Sequence, residues 1–496
     1  MKKVILIFGF FPLMLLSVLM VTKELQAQVI VPDFQVSGDS LYLESWNPEI
    51  AVDIKNNFSV IYNLFDQRPR FILSYIFGHH YNENGTINKK ASYSTIGGTP
   101  VFAMNDSGYF IIAGGKGSAR FQRFDSHYEA LDTIQEVDTE NLISDVAIDN
   151  AGNFIIAWWY SDSIYCQRYD KEGEEVGNAI LINETIDEAI ASPPRIAEDS
   201  LCNFVMTWSQ VKNYQYDIYC RLFDNNGEPL SKSIKVNSDT SEIYKSKSYP
   251  DIGVDPSGNI MIVWSDDRDG DYDVYCQRYN KRGIPLGDNL KVNDDSDTTD
   301  QKDPVISVSE SGDFIIVWED NRNGSSDIYA QRYDAGGIEI GNNFRINKDQ
   351  AGDQEDPDVA LKNGRIFTTW HLYYGSSNNG IWANVLDFSN PVHVDPGEGS
   401  EQVPAQFKLN QNYPNPFNPT TTIQYTLKED CQVSLKIYNL TGQEVRTLVN
   451  EQQTAGSKAV LWDGRNSAQH QAASGIYIYK IVAADFTEYK KMSLIK

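Results

Sequence analysis

A repeat of about fifty residues is the feature of this chain that most constrains its fold. The clearest copy runs from Pro250 to Trp264 and consists of an apolar alternation, a Pro-Ser-Gly-Asn turn and a second apolar segment that ends in Trp. Seven residues form the corresponding column, spaced 44 to 56 residues apart: Tyr62, Gly114, Trp158, Trp208, Trp264, Trp318 and Trp370. A repeat near this length indicates a solenoid, a propeller or an array of small units.

Each repeat predicts four short strands and no helix. In the fifth unit the segments 252–255 and 260–264 flank the turn, and segments 274–279 and 290–293 supply two further strands. Solenoids with units of this size are mostly helical, whereas four antiparallel strands per repeat are typical of a propeller blade. We therefore predict an all-β chain whose residues 28–388 form a seven-bladed β-propeller of four-stranded blades.

The ends of the repeat region predict how the ring closes. The seventh unit lacks a fourth strand, and a matching segment around Val36 lies twelve residues before Pro48, as Val292 lies twelve residues before Pro304. We predict that residues 33–38 complete the last blade, which would remove an exposed sheet edge.

Three of the five cysteines occupy one repeat position. Cys166, Cys220 and Cys276 stand where the sixth unit has Ala330. A position shared by Cys and Ala requires a small apolar group, so we expect free thiols that serve packing.

The N-terminus has the pattern of a secretory signal peptide over residues 1–27. Lys2 and Lys3 precede an apolar run to Val21, and a small residue at Ala27 marks a cleavage site. The alternative is a membrane anchor, because 18 apolar residues could just span a bilayer. Gly9 and Pro12 interrupt that run and favour the signal peptide. We expect no transmembrane segment in the mature chain.

The charge of the chain is strongly negative and unevenly distributed. The formal net charge is −26, which argues against nucleic-acid binding and allows cationic partners. Residues 401–496 carry 10 basic and 8 acidic side chains, so residues 1–400 carry −28. The C-terminal part therefore differs in kind from the repeat region.

Residues 389–404 are rich in Pro, Gly and charge and indicate a linker. Residues 405–496 alternate strands and turns as a small immunoglobulin-like β-sandwich would. This segment resembles the type A C-terminal sorting domain of the type IX secretion system in its Asn-Pro-Phe-Asn-Pro block, its Trp-Asp-Gly motif, its Gly-Ile-Tyr motif and its basic tail. The residues that carry the resemblance are Asn415, Pro416, Phe417, Asn418, Pro419, Trp462, Asp463, Gly464, Gly475, Tyr477, Lys490 and Lys491.

The resemblance implies a route and a location for the protein. Such a chain would be exported to the periplasm of a Gram-negative bacterium. The type IX secretion machinery would then recognise the C-terminal domain and move the protein to the outer cell surface or the medium. The resemblance implies nothing about the propeller.

Acidic loops on one face of the predicted propeller are the first candidate site. Loops between strands two and three share a face with the links between blades, and in units five and six both are rich in aspartate. The candidate ligands are Asp266, Asp267, Asp269, Asp271, Asp273, Asp294, Asp295, Asp320 and Asp327. Clustered carboxylates suit calcium, although the spacing is not that of an EF-hand. The alternative is an acidic rim in which each Arg pairs with the Asp five residues later, Arg268 with Asp273 and Arg322 with Asp327.

Residues that break the repeat are the second candidate site. His79 and His80 replace the usual Gln-Arg of the third strand, and His371 follows Trp370. Neighbouring strand residues point to opposite faces, so the histidine pair cannot ligate one metal. No nucleophile motif, phosphate loop or zinc spacing is present.

Two functional hypotheses remain open at this point. The first is a non-catalytic module that binds an extracellular glycan or protein, which repeated equivalent loops favour. The second is a secreted glycoside hydrolase or lyase of sialidase-like type, for which Arg68 and His371 are the candidate catalytic residues. An active site needs several different residues at one point, and the sequence offers few.

Overall fold

The structure of the chain is a computed structural model, and every structural statement below concerns the residues that it describes. These are residues 28–37, 43–66, 73–93, 96, 98–115, 119–137, 142–160, 162–184, 190–212, 214–238, 245–295, 298–348, 351–374, 379–388, 407–409, 412, 421–467, 470–484 and 486–494. The predicted signal peptide, Arg68, the linker 389–404 and the block 415–419 lie outside them.

Seven antiparallel sheets follow one another along the chain, as the repeat predicts. Each begins with an inner strand, and the strands then pair in sequence order towards the outside. The first three sheets contain β2 (Leu43–Val52), β3 (Phe58–Asp66), β4 (Leu73–Tyr81) and β5 (Ile87–Ser92); β6 (Val101–Met104), β7 (Phe110–Gly114), β8 (Arg120–Phe124) and β9 (Gln135–Glu136); and β10 (Leu142–Ile148), β11 (Phe154–Tyr160), β12 (Ser163–Tyr169) and β13 (Ile180–Leu181).

The remaining sheets follow the same plan with one variation. In the fourth sheet the inner edge is split by a Pro-Pro pair into two short strands, both paired with the second strand. These four sheets contain β14 (Ile190–Ala191), β15 (Arg195–Glu198), β16 (Phe204–Lys212), β17 (Gln215–Phe223) and β18 (Ile234–Lys235); β19 (Lys247–Val254), β20 (Ile260–Asp266), β21 (Asp273–Tyr279) and β22 (Leu290–Lys291); β23 (Gln301–Val308), β24 (Phe314–Asp320), β25 (Asp327–Tyr333) and β26 (Glu339–Arg345); and β27 (Asp353–Lys362), β28 (Arg365–Tyr373) and β29 (Gly380–Asp387).

The N-terminal strand closes the ring by completing the seventh sheet. β1 (Gln28–Gln35) pairs antiparallel with β29, and the backbone N–H groups of Val36 and Ser37 still donate to Ile381 O. The closing strand therefore lies in the last blade, as predicted. It begins five residues earlier than the predicted segment 33–38, because residues 28–32 also form ladder bonds although they carry no repeat signal.

Apolar side chains between neighbouring blades form the core. One cluster joins Cys220 of the fourth blade to Ile262 and Trp264 of the fifth. Trp208, Trp264, Trp318 and Trp370 are at most 1% exposed. Truncating such a side chain to Ala costs about 3–5 kcal/mol, so the Trp column is a main source of stability. All five cysteines are free, and Cys166, Cys220 and Cys276 are buried in these interfaces.

The C-terminal part is a separate pair of sheets. A sheet of three strands contains β30 (Lys408–Leu409), β31 (Thr421–Leu427) and β34 (Gly456–Trp462), and a sheet of four contains β32 (Cys431–Asn439), β33 (Glu444–Gln453), β35 (Gly475–Ala483) and β36 (Phe486–Leu494). Trp462, Tyr425 and Tyr479 lie in the core shared by the two sheets. Within the described part of the chain, no helix is long and apolar enough to cross a membrane.

Candidate functional site

The two most buried aspartates of the acidic rim fasten the loop of their own blade. Asp266 is fully buried, accepts a hydrogen bond from Trp264 Nε1 at 2.9 Å and pairs with Arg268 Nη2 at 2.5 Å. Asp320 repeats the arrangement, accepting from Trp318 Nε1 at 2.8 Å and from Arg322 Nη2 at 2.7 Å. These carboxylates fix the tryptophan and the loop.

The arginine pairing differs from the prediction. Among the described residues Arg322 pairs with Asp320, Asp294 and Asp295, and not with Asp327. The reason is local: the backbone N–H and the side chain of the arginine both fold back onto the aspartate two residues earlier. Arg268 contacts Asp266 in the same way.

Asp273 and Asp327 instead anchor the outer strand. Asn293 Nδ2 donates to Asp273 at 2.8 Å, and Asn347 Nδ2 donates to Asp327 at 2.9 Å. Lys291 adds an ion pair to Asp273 at 2.6 Å. Both carboxylates are therefore structural.

The other predicted calcium ligands are dispersed over the rim. Asp267 accepts from Ser246 N at 2.7 Å, Asp269 from Tyr275 Oη at 2.9 Å and Asp295 from Asn293 Nδ2 at 2.6 Å. Asp294 pairs with Arg322, and Asp271 is half-buried in the same loop. Within the described residues, none of the nine aspartates belongs to a group of three acidic, Cys or His ligand atoms lying within 4.8 Å of one another.

The two histidines of the first blade are core residues. His80 is fully buried between Ser59 Oγ at 2.6 Å and Tyr93 Oη at 2.8 Å, and burial lowers its pKa to about 3. His79 lies beside Tyr62 Oη at 3.4 Å, and burial lowers its pKa to about 4. Both imidazoles are enclosed in the blade, and the lowered pKa values favour their neutral form.

Three positions per blade form the mouth of the central channel. They are the two residues before the inner-strand proline, which is Ser144 in the third blade, and the residue after the Trp column. In blades five to seven the ladder pairs the first of these residues with the residue after Trp. In blades two to four these positions are mostly small or apolar. In blades five to seven they are Ser248, Tyr249, Ser265, Lys302, Asp303, Glu319, Glu355, Asp356 and His371.

A strained backbone shapes this mouth. Asn47, Tyr249, Asp303 and Asp356 each precede a proline and have φ between 50° and 51°. A residue before proline favours extended backbone, and a left-handed conformation there costs about 1–3 kcal/mol. Side chains of the preceding blade support it: Ser265 Oγ accepts from Asp303 N at 3.0 Å and Glu319 Oε1 from Asp356 N at 2.8 Å.

The carboxyl groups of the mouth hold protons more tightly than usual. Burial, and then the charge of Asp303, raise the pKa of Glu319 to about 8. Burial also raises the pKa of Asp303 to about 6, although Lys302 opposes the shift. Lys302 Nζ lies 3.7 Å from Glu319 Oε2. Both carboxyl groups are therefore protonated at a higher pH than carboxyl groups in water.

Aromatic side chains border the charged group. Tyr249 is 64% exposed, and the charge of Asp303, followed by burial, raises its pKa. His371 is buried against Trp46, with ring centroids 4.5 Å apart, and burial lowers its pKa to about 4. Neither ring nitrogen of His371 has a hydrogen-bond partner among the described residues. The sequence signalled His371 as a repeat break but gave no means of placing it beside Glu355, its partner across the ladder.

A second group of ionisable side chains lies deeper in the channel, one residue further along the inner strands. Five blades contribute one each and the other two have Val101 and Val305 there: the ionisable residues are Glu49, Asp145, Arg195, Asp251 and Asp358. Asp358 Oδ2 accepts from Ile50 N at 2.7 Å and Asp145 Oδ2 from Ile196 N at 2.8 Å, so each aspartate fastens the next blade. Burial raises the pKa of Asp145 to about 6 and of Asp358 to about 7. Arg195 lies 4.0 Å from Asp251; burial disfavours its charge, but the surrounding carboxylates outweigh that effect and raise its pKa. These side chains therefore place four acidic groups and one arginine below the mouth.

The motif residues of the C-terminal domain are mainly structural where they are described. Trp462 is fully buried and donates from Nε1 to Arg465 O at 2.9 Å. Asp463 accepts from Arg446 Nη1 at 2.6 Å, Gly464 has a φ of 68°, and Tyr477 donates to Ala473 O at 2.7 Å. Gly475 begins β35, and Lys490 and Lys491 lie on β36, an edge strand.

Comparisons with known proteins concern the two parts separately. The FlgD Ig-like domain family matches residues 417–485. No curated protein matches the chain. Among solved structures, a protein of unknown function from Dyadobacter fermentans is 12% identical with a TM-score of 0.47, covering 73% of this chain and 99% of its own.

Two further structures match to a similar extent. The propeller domain of the Trilobed protease from Pyrococcus furiosus is 10% identical with a TM-score of 0.45, covering 73% of this chain and 99% of that domain. An alpha-L-arabinanase from Penicillium chrysogenum is 9% identical with a TM-score of 0.43, covering 74% and 99%. At this level of similarity the matches carry no functional assignment.

Proposed function

We propose that the protein is an exported binding module whose propeller binds an extracellular glycan at the channel mouth of blades five to seven. The observation that carries the proposal is the convergence, at one point of a repetitive fold, of charged side chains that the other blades lack. Lys302 and Glu355 occupy one position of the repeat and Asp303 and Asp356 the next, and the other five blades have no charged residue at either position. Repetition maintains a fold, whereas a specific ligand requires different groups around one centre.

The chemistry of the mouth favours a neutral or positively charged saccharide. Four carboxyl groups and one lysine lie there, and the carboxyl groups that are ionised would repel a uronate. Carboxyl oxygens accept hydrogen bonds from sugar hydroxyl or ammonium groups. The exposed ring of Tyr249 offers an apolar face with a polar edge beside them.

A panel of neutral and amino-sugar oligosaccharides tests the binding proposal on the full-length protein. We expect binding of at least one member, weakened at least about tenfold by Tyr249→Ala, since aromatic anchors dominate such contacts. Tyr489→Ala is the matched control, because that tyrosine is 69% exposed on the C-terminal domain. Equal affinities of the two variants would place the site elsewhere.

A hydrolase or lyase is the second candidate, favoured by the neighbouring carboxyls of Asp303 and Glu319. A protonated Glu319 and an ionised Asp303 near neutral pH correspond to a general acid and a general base. Turnover of a bound oligosaccharide, lost in Glu319→Gln while binding persists, would establish this activity. Binding without turnover by the unaltered protein would support the module.

Export through type IX secretion is the proposed route to the outer surface of a Gram-negative bacterium. It is supported by the apolar N-terminal segment, the ordered motifs of residues 405–496 and the change in charge from −28 to +2. Deleting residues 405–496 should leave a folded propeller in the periplasm, measured by cell fractionation and protease resistance. Normal surface appearance of the truncated chain would refute this route.

A further inference from the structure

The fourth blade breaks the repeat twice at the turn between its first two strands. Glu198 occupies a position that is apolar in the six other blades: Val52, Met104, Ile148, Val254, Val308 and Leu361. Cys202, with a φ of 62°, occupies a turn position that is glycine in blades two, three, five and six: Gly108, Gly152, Gly258 and Gly312. Both replacements are unfavourable for the fold alone, because one buries a carboxyl and the other puts a side chain into left-handed backbone.

The repeat explains why the cysteine meets a carboxylate. In other blades this turn position faces the turn aspartate of the preceding blade: a Cβ atom on Gly258 would lie 3.3 Å from Asp199 Oδ2. In the fourth blade a side chain is present, and Cys202 Sγ lies 3.2 Å from Asp149 Oδ2 of the third blade. The thiol and the carboxylate therefore bridge two blades.

Glu198 completes the group. Its Oε1 atom is buried and has no hydrogen-bond partner within the described part of the chain. One ligand atom from each of Asp149, Glu198 and Cys202 lies within 4.8 Å of the others, and the described residues contain no second group of this kind. An unpaired buried carboxyl beside another carboxylate is costly unless a cation joins them.

We propose that Asp149, Glu198 and Cys202 bind a zinc ion between the third and fourth blades. A thiolate with two carboxylates suits a borderline-soft cation, whereas calcium and magnesium prefer oxygen ligands alone. Three protein ligands leave a fourth tetrahedral position for water. All three residues are half-buried, so the ion can enter from solvent.

The site is independent of the channel mouth. Asp149 and Glu198 lie at the ends of β10 and β15, whereas the mouth lies at the beginnings of the inner strands. The ion would therefore fasten two neighbouring blades on the opposite face of the propeller. Because the ion would bind the folded chain, the free energy of unfolding would rise with the logarithm of the zinc concentration once that concentration exceeds the dissociation constant.

Zinc titration of the metal-free full-length protein against a chromophoric chelator, under reducing conditions, tests the proposal. We expect one equivalent bound by the unaltered chain and an affinity at least about tenfold lower in Cys202→Gly and in Glu198→Val, since each variant removes a ligand. Both variants restore the residue that other blades carry, so they should fold. Cys276→Ala is the control, because Ala330 fills the equivalent position in the sixth blade.

Thermal denaturation provides a readout that does not depend on the chelator. Without zinc, both variants should melt at or above the temperature of the unaltered protein, because they relieve the unpaired carboxyl and the strained turn. With zinc, only the unaltered protein and Cys276→Ala should gain stability. Absence of zinc binding by the unaltered chain, or equal binding by both site variants, would overturn the proposal; a calcium effect that survives Cys202→Gly would overturn the thiolate assignment.

Discussion

The acidic rim and the channel mouth lie on the same face of the propeller but use their carboxylates in opposite ways. In the rim, Asp266 and Asp320 occupy the same position in blades five and six, and each pairs with an arginine and accepts hydrogen bonds from Trp and backbone donors. In the mouth, Glu319 has no acidic equivalent in another blade and Asp303 has only Asp356, and burial raises the pKa of both Asp303 and Glu319. In a repeat protein, residues that recur therefore support the architecture, and residues that interrupt the repeat are the better candidates for function.

The largest expected effect is the loss of stability when a rim aspartate is removed. Asp266→Ala removes the carboxylate that lies beside the buried ammonium of Lys247 and the half-buried guanidinium of Arg268. Because a buried cation would then lose a carboxylate partner, we expect the free energy of unfolding to fall by about 3–5 kcal/mol. Asp269→Ala, at an exposed position that loses one hydrogen bond, should cost about 1 kcal/mol. Urea denaturation measures both, and equal costs would contradict the structural role of the recurring aspartate.

The mouth should make stability depend on pH. Glu319 is more easily protonated in the folded chain than in the unfolded chain, because burial raises its pKa from 4.5 to about 8. The folded state then binds more protons across that range, so this contribution is present at low pH and is lost as the pH rises from about 4.5 to about 8.

Comparing the unaltered protein with Glu319→Gln isolates that contribution. The difference in unfolding free energy between them should change by a few kcal/mol between about pH 5 and pH 8.5, with the unaltered protein losing relative stability at the higher pH. Urea denaturation at several pH values measures it. A difference independent of pH would mean that Glu319 is ionised throughout.

A smaller effect is expected at His371. Both ring nitrogens lack partners among the described residues, so His371→Phe should remove unsatisfied polar atoms and preserve the contact with Trp46. We expect stabilisation by about 1 kcal/mol in thermal or urea denaturation. Destabilisation of similar size would show that a ring nitrogen forms a hydrogen bond in solution.

The smallest effect is expected for calcium at the rim. Since the nine aspartates do not assemble as ligands, calcium should change the unfolding free energy of the unaltered protein and of Asp271→Asn equally, within about 0.5 kcal/mol. A calcium-dependent rise in melting temperature that Asp271→Asn abolishes would restore the calcium hypothesis.

The repeat allowed the blades to be predicted because Trp264 and its equivalents fix the register of buried strands. The closing strand was predicted less well, since residues 28–32 pair through backbone atoms that leave no side-chain pattern. The predicted partner of Arg322 was wrong, because the choice between Asp320 and Asp327 depends on how the loop folds over Trp318. Glu319 was not predicted as a site residue, because the position after Trp318 borders a central channel only when the blades have closed into a ring.

Affinity measurements on Asp303→Asn and Asp269→Asn test most directly whether the interrupted repeat carries function. Both changes remove one carboxylate charge from the same face, and Asn tolerates the left-handed backbone at position 303. Titration calorimetry with an oligosaccharide from the panel should give at least about tenfold weaker binding for Asp303→Asn and an unchanged value for Asp269→Asn. Weaker binding for Asp269→Asn alone would contradict the account and return the ligand to the rim.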